Sequence, residues 1–434
     1  MTGRNVFSPL GPLNLTVDYH GPWPDGQHPV FEAGPQHEPS LSDGGPSDNF
    51  QAALNVLSYL HAFFIPFLIV LGLIGNGLSF VTFLFTRLKV RASSFYLGTL
   101  ALSDFGYLFI LTFVWLDKQG VKVLNRRGMC QGILYLSSAF SFWSVWLTVT
   151  FTAERCFAVQ CPLWRLQLGT RGRARVTVGV TVLASLVFNA YLLVLTDVIV
   201  EEGGTPECEA RPEFEQILYY TNIMDTVVTL IVPFILIVIM NFMIGRALYL
   251  FTSRRRLQRL NSSQLDTTGM DVDGRATMSG GSPIPSPRHQ LASSMNGAPP
   301  HPRDRVLMHP SQISVSKMLF LVCTVFIILN LPSYVVRIHV FALSISDQPV
   351  PGHVFLLQRY FMLLYYTNFA VNFILYNVGS RIFRRMMKQY LLSKWRTISR
   401  LCRSDESLDS SDLGSLKNHH DGHPLKRQQL GGRT

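Results

Sequence analysis

Seven stretches of this 434-residue chain are long, apolar and nearly free of charge, and together they constrain the fold more than any other feature. They are Phe63–Phe85, Ser94–Leu116, Gln131–Ala153, Val176–Thr196, Ile217–Gly245, Met318–Val336 and Tyr360–Val378. A helix needs roughly 20 apolar residues to cross a hydrocarbon core about 30 Å thick. Across all seven runs there are two charged side chains, Asp104 in the second and Asp225 in the fifth. A buried helix of a soluble core explains one such run but not seven in succession. The runs are continuous, whereas a barrel strand alternates over about ten residues, so helices are expected. Pro66, Pro233 and Pro332 lie inside them, a placement that membrane helices tolerate better than soluble ones. The expected fold class is an all-α membrane protein, a seven-transmembrane helix bundle.

Composition agrees. Charged residues make up 15% of the chain, where a soluble protein carries about a quarter. The excess of Lys and Arg is 38 − 27 = +11, but its distribution speaks of topology and not of nucleic acid. Basic residues gather in alternate connections: Arg87, Lys89 and Arg91; Arg165, Arg171, Arg173 and Arg175; Arg254, Arg255, Arg256 and Arg259; and Arg381, Arg384, Arg385 and Lys388. Short basic loops stay on the cytoplasmic side, which puts the N-terminus outside and the C-terminus inside. Lys118, Lys122, Arg126 and Arg127 oppose this and are outnumbered.

Residues 1–54 read as a disordered extracellular segment without a signal-peptide core, so the first span is expected to serve as its own insertion signal. Residues 55–392 form the bundle, interrupted by a disordered third cytoplasmic loop at 252–311, and 393–434 a disordered cytoplasmic tail. Asn14-Leu15-Thr16 is an expected glycosylation site on the outer side. In the tail, Ser404, Ser407, Ser410 and Ser411 among four acids suit either phosphorylation or plain solvation.

Motifs inside the spans resemble those of the rhodopsin-like (class A) G-protein-coupled receptors. They are Gly75-Asn76; Leu100-Ala101-Leu102-Ser103-Asp104; Glu154-Arg155-Cys156; Pro233; Phe326 with Pro332; and Asn372-Phe373-Ile374-Leu375-Tyr376. Leu329-Asn330-Leu331-Pro332 and the Asn-Phe-x-x-Tyr seventh span are similar to protostome neuropeptide receptors of the FMRFamide, myosuppressin and sex-peptide kinds. The resemblance implies a plasma-membrane receptor with a short amphipathic eighth helix at Arg381–Leu392, followed by a palmitoylation candidate, Cys402. It implies a disulfide between Cys130 and Cys208, and a polar network of Asn76, Asp104, Ser144, Asn368 and Asn372. That network either holds an allosteric sodium ion or is closed by hydrogen bonds alone; no other cofactor is expected. An acid at mid-membrane is costly and by default functional. Glu154, Arg155, Asn372 and Tyr376 are the implied switch for a heterotrimeric G protein, with receptor kinase and arrestin as partners of the tail. Membrane lipids are the remaining partner and nucleic acid is excluded.

Three departures matter. Asn330 stands where the family has Trp, and is expected to join the polar network; Phe373 replaces a Pro, leaving the seventh helix unbroken; and Cys156 replaces a Tyr. The seventh span has no Lys for a retinal Schiff base, and Ser137 occupies the position where amine receptors place Asp. An acidic outer loop containing Glu201, Glu202, Glu207, Glu209, Glu213 and Glu215 favours a cationic partner. The expected ligand is an extracellular peptide, met by Trp115, Asp117, Ser137, Tyr219, Asp225, Arg337, His339, Arg359 and Tyr366. For Asp225, ligand contact and an internal pair with Arg337 stay open. A small-molecule or lipid ligand is the alternative within this fold. A transporter or channel is less well supported, since no inverted repeat is visible. Nothing suggests an enzyme.

Overall fold

In a computed structural model, residues 48–160, 170–200, 206–268, 310–346 and 348–418 are described. Asn14, the third-loop segment 269–309 and the tail after 418 lie outside them, as does the side chain of Cys402. Two compact units are present, one reaching Arg381 and the other starting at Ile382.

The first span is α1 (Asp48–Tyr59), a π-helical turn at Leu60–Phe64, and α2 (Ile65–Phe85). The second is α3 (Ala92–Lys118) and the third α4 (Met129–Gln160). The fourth comprises α5 (Arg171–Asn189) and the short α6 (Leu192–Leu195). A hairpin follows, β1 (Thr196–Ile199) antiparallel to β2 (Glu207–Ala210), with Val198 opposite Cys208. The fifth span is α7 (Glu215–Asp225), a second π-helical turn at Thr226–Ile231, and α8 (Val232–Thr268). The sixth is α9 (Pro310–Ile345) and the seventh α10 (Gly352–Gly379).

Six of these spans are long and apolar enough to cross a membrane. Helix α10, at 28 residues, is long enough too; Arg359, Asn368, Asn372 and Asn377 lower its hydropathy. The most apolar windows of the second and third spans are 67% and 72% buried, against 28% for the first, so α3 and α4 form the middle of the bundle. On the peripheral helices the apolar stripe faces out. Phe63, Phe67, Val70 and Ile74 are exposed at helical spacing on the first span, while Asn76 and Ser79 are buried. Val176, Val180, Leu183 and Val187 repeat the pattern on α5. That inverts the soluble amphipathic helix, as expected when the solvent is lipid.

Both π-helical turns have a local cause. Pro66 and Pro233 lack an N–H, and their rings clash with the carbonyl four residues back. The chain widens one turn just before each: the N–H of Ile65 reaches the carbonyl of Leu60, and that of Val232 the carbonyl of Val227. Pro332 sits inside α9 without ending it. There the Ser333 hydroxyl returns to the Asn330 carbonyl at 2.9 Å, and Asn330 Nδ2 to the Phe326 carbonyl at 2.7 Å.

From Ile382 onward, α11 (Arg381–Asn418) belongs to the second unit; it is 38 residues long where a short eighth helix was expected. Leu391, Leu392, Trp395 and Ile398 are exposed along it, and Lys394 lies 5.9 Å from the Tyr390 ring. Helical structure also continues through Thr252–Thr268, where an irregular loop was expected.

Candidate functional site

At the centre of the bundle Asp104 is wholly buried. Ser144 of α4 donates to its Oδ1 at 2.6 Å, and Asn372 of α10 donates to its Oδ2 at 2.7 Å, so one carboxylate joins three helices. Asn372 Nδ2 also reaches the Asn368 carbonyl at 3.3 Å. Asn76 instead donates to the Phe369 carbonyl at 2.8 Å, and its buried Oδ1 has no partner among the described residues. Asn330 departs from expectation: its amide bonds within its own helix, and its Oδ1 likewise lacks a partner among the described residues. The amide that the network was expected to receive is taken up by the Phe326 carbonyl one turn back.

Toward the end of the bundle opposite the hairpin, Arg155 pairs with Glu154 at 2.5 Å, both side chains nearly buried. The guanidinium stands 5.6 Å from the Phe151 ring. Thr152 and Cys323 share a 3.2 Å contact that ties the third span to the sixth. Tyr376 is wholly buried, its ring edge-on to Phe83 at 5.2 Å.

Toward the hairpin end the floor is aromatic. Tyr107 stacks on Phe369 at 3.9 Å, and Tyr365 stands edge-on to both Tyr107 and Phe369. Tyr366 adjoins Tyr107 at 6.5 Å. Ser141 of α4 and the Tyr365 hydroxyl share a 2.6 Å hydrogen bond. Above this floor Arg337 donates to Asp225 Oδ2 at 2.8 Å, and Thr229 donates to Asp225 Oδ1 at 2.8 Å. The pair with Arg337, one of the two alternatives for Asp225, is formed in the structure.

The remaining expected ligand residues are dispersed. Trp115 donates to the His61 carbonyl at 3.2 Å, satisfying backbone within the first π-helical turn. Asp117 accepts from the Leu124 N–H at 2.9 Å and so shapes the connection after α3. The buried Ser137 hydroxyl returns to the Leu134 carbonyl. Tyr219 and His339 are exposed, and the Arg359 guanidinium lies 5.0 Å from the Phe355 ring.

The hairpin is fastened to the head of α4 by the Cys130–Cys208 disulfide, with Cα atoms 5.5 Å apart. Asp197 fastens it again. Its carboxylate accepts from Gln131 at 3.0 Å and from Arg211 at 2.9 Å, with Arg127 at 3.7 Å. This position was missed in the sequence, where the acid closely follows an apolar run. The Val198 N–H first, and the Arg127 and Arg211 guanidiniums, hold the Asp197 carboxyl below its ordinary value of 3.8. A depressed carboxyl contributes stability above its unfolded value and loses it as pH falls through the folded one. The attachment is therefore expected to survive acidification to about pH 5, with wild type and Asp197→Asn melting alike only below about pH 4. A difference between them that vanishes near neutrality would contradict this.

Residues 75–376, well over half of the chain, match the family described as 7 transmembrane receptor (rhodopsin family). The chain is also 26% identical over 198 residues to G-protein coupled receptor 15 of Mus musculus, covering 44% of this chain and 54% of that relative. It thus spans about half the length of the curated relative it matches.

Proposed function

The chain belongs to the rhodopsin family of seven-transmembrane receptors, and on that premise we propose that it binds a neuropeptide at its hairpin end and activates a heterotrimeric G protein at the other. It is a multi-pass plasma-membrane receptor and not an enzyme. The basic connections support an orientation with the hairpin outside and α11 in the cytoplasm.

One observation carries the peptide reading: the doubly fastened hairpin, with Glu207 and Glu209 half-exposed and Glu213 exposed just beyond it. A rigid acidic rim of that kind suits an extended cationic ligand and steers its approach. Ligand binding then favours a second arrangement in which Arg155 leaves Glu154 to meet the G protein, with Asn372 and Tyr376 on the moving seventh span. Opening a nearly buried ion pair makes the switch two-state. The serine-rich tail serves receptor kinase and arrestin.

A neuropeptide library applied to cells expressing the chain with a promiscuous G protein is the direct test. Silence from all peptides, with receptor verified at the surface, rejects a peptide ligand and favours the small-molecule or lipid alternative.

Asp104 and Ser144 offer the hard oxygen donors a sodium ion prefers, and the orphaned Asn76 Oδ1 adds a buried oxygen to the region. Sodium there would stabilise the resting arrangement by neutralising a buried carboxylate. Raising sodium at constant ionic strength is expected to lower basal signalling in wild type and leave Asp104→Asn unmoved; an equal response in both rules the site out.

A further inference from the structure

The connection between the second and third spans carries a charge that membrane topology does not explain. Lys118–Arg127 holds four cations, Lys118, Lys122, Arg126 and Arg127, and no acid, and all four are exposed. Asp117, the acid just before it, is engaged by the Leu124 N–H at 2.9 Å. Two of the four cations have local reasons. Lys118 stands in the last turn of α3, where a helix end favours positive charge. Arg127 lies 3.7 Å from Asp197. Lys122 and Arg126 form no ion pair among the described residues. Their backbone is nonetheless well braced. Gly120 and Gly128 turn the chain with φ of +93° and +83°, a region that favours glycine. The Val121 N–H reaches the Leu116 carbonyl at 3.1 Å, and the Cys130 N–H the Arg126 carbonyl at 3.1 Å. Buried Leu124 pins the middle to the core, and the disulfide at Cys130 follows. The cations are thus displayed on a fixed frame.

Resting on the orientation that puts the hairpin outside, we propose that this connection is a docking surface for a sulfated polysaccharide of the cell surface. Four basic residues in a short outer connection oppose the bias that keeps such residues inside. Lipid does not compensate them there, since anionic lipids give the cytoplasmic leaflet its negative potential. Short basic runs of this kind suit heparin-like polyanions. A linear polyanion touches spaced cations in turn, needs no pocket, and gains chiefly by counterion release. At the same end of the bundle Glu207, Glu209 and Glu213 repel that polymer. It is therefore confined to the basic connection, and the acidic rim stays open to a cationic ligand.

Intact cells stripped of their own glycosaminoglycans, with the full chain counted at their surface, would be exposed to fluorescein-labelled heparin. Wild type is expected to bind several times more label than cells without the chain. Its affinity should fall roughly tenfold or more when salt triples at constant osmolarity. Lys118→Gln, Lys122→Gln and Arg126→Gln together should bring binding down to the level of cells without the chain, with surface count and melting temperature unchanged. Arg127 is left in place because it adjoins Asp197. If the triple variant does not reach the surface, Lys122→Gln and Arg126→Gln alone should each weaken binding several-fold. Hyaluronan, unsulfated and sparser in charge, should compete poorly. Full binding in the variants, no binding by wild type, or equal competition by hyaluronan overturns the proposal alone. Arg254→Gln, Arg255→Gln and Arg256→Gln together should change nothing, since intact cells shield the inner face. Loss of binding in that variant, with the outer triple variant unaffected, rejects the orientation and the proposal with it.

Discussion

Cells expressing Cys208→Ser are expected to hold little folded receptor at their surface, and the purified variant to melt far below wild type. The disulfide joins residues 78 apart in sequence and closes a loop that contains the third and fourth spans and the first strand of the hairpin. Cross-links of that size are worth about 4 kcal/mol in the chain-entropy view, with about 2–5 kcal/mol the usual measured range. Membrane helices stay helical when the bundle loosens, which lowers the entropic gain and favours the smaller figure. Without the cross-link the hairpin keeps the Asp197 carboxylate on Gln131 and Arg127, contacts of ordinary strength, and Val198 packed against the core. Its second strand should then be held less tightly even where the helices assemble. Cys130→Ser should do the same, and the double variant should be no worse than either single one, because both remove one bond. Thermal melts with surface counts by flow cytometry check all three; additive losses would show that the cysteines act separately.

Gly72→Leu is expected to be as damaging by the opposite route. A Cβ at Gly72 would collide with Leu108 Cδ1 and stand 3.0 Å from Ala370 Cβ and 3.1 Å from Ala370 Cα. One of those neighbours is backbone, so the first span cannot stay against both the second and the seventh. One turn on, a Cβ at Gly75 would stand 2.8 Å from Phe373 Cβ. The pair forms the small-residue seam by which membrane helices come close without a hydrophobic driving force. Overpacking typically costs about 1–3 kcal/mol, and a side chain as large as Leu against backbone belongs at or above the top of that range. Gly132 and Gly179 have nothing within 4 Å of an added Cβ, so the same substitution there should leave surface level and melting temperature close to wild type. If Gly72→Leu and Gly179→Leu behave alike, close approach at Gly72 is not needed.

The seven helices were legible because the bilayer leaves few options: backbone groups must be satisfied internally, and each run declares itself by length and want of charge. Asp104 was legible for the same reason, since an acid in such a run is conspicuous. The hairpin was not. Thr196 continues an apolar stretch in the sequence, and strand pairing across the loop leaves no periodic trace over four residues. Tyr107, one turn after Asp104, was passed over because an aromatic residue in an apolar run looks like filling; its place between Phe369, Tyr365 and Tyr366 depends on the seventh helix. Trp115, Asp117 and Asn330 are polar at the right depth, yet each serves nearby backbone. Residue type reveals that a polar group needs a partner, and only packing decides which one.

The π-helical turn at Thr226–Ile231 has a consequence for comparing relatives. One residue beyond the α-helical count rotates everything before it by about 100° about the axis. Asp225 and Tyr219 therefore face directions that counting back from Pro233 at 3.6 residues per turn would misassign. A relative with an unwidened turn would present a different side chain at the aligned position, although the two sequences matched without a gap. Alignment across this segment should be made by azimuth and not by residue number. Shortening the turn by one residue should rotate α7 and turn Asp225 away from Arg337, while α8 beyond the turn stays in place.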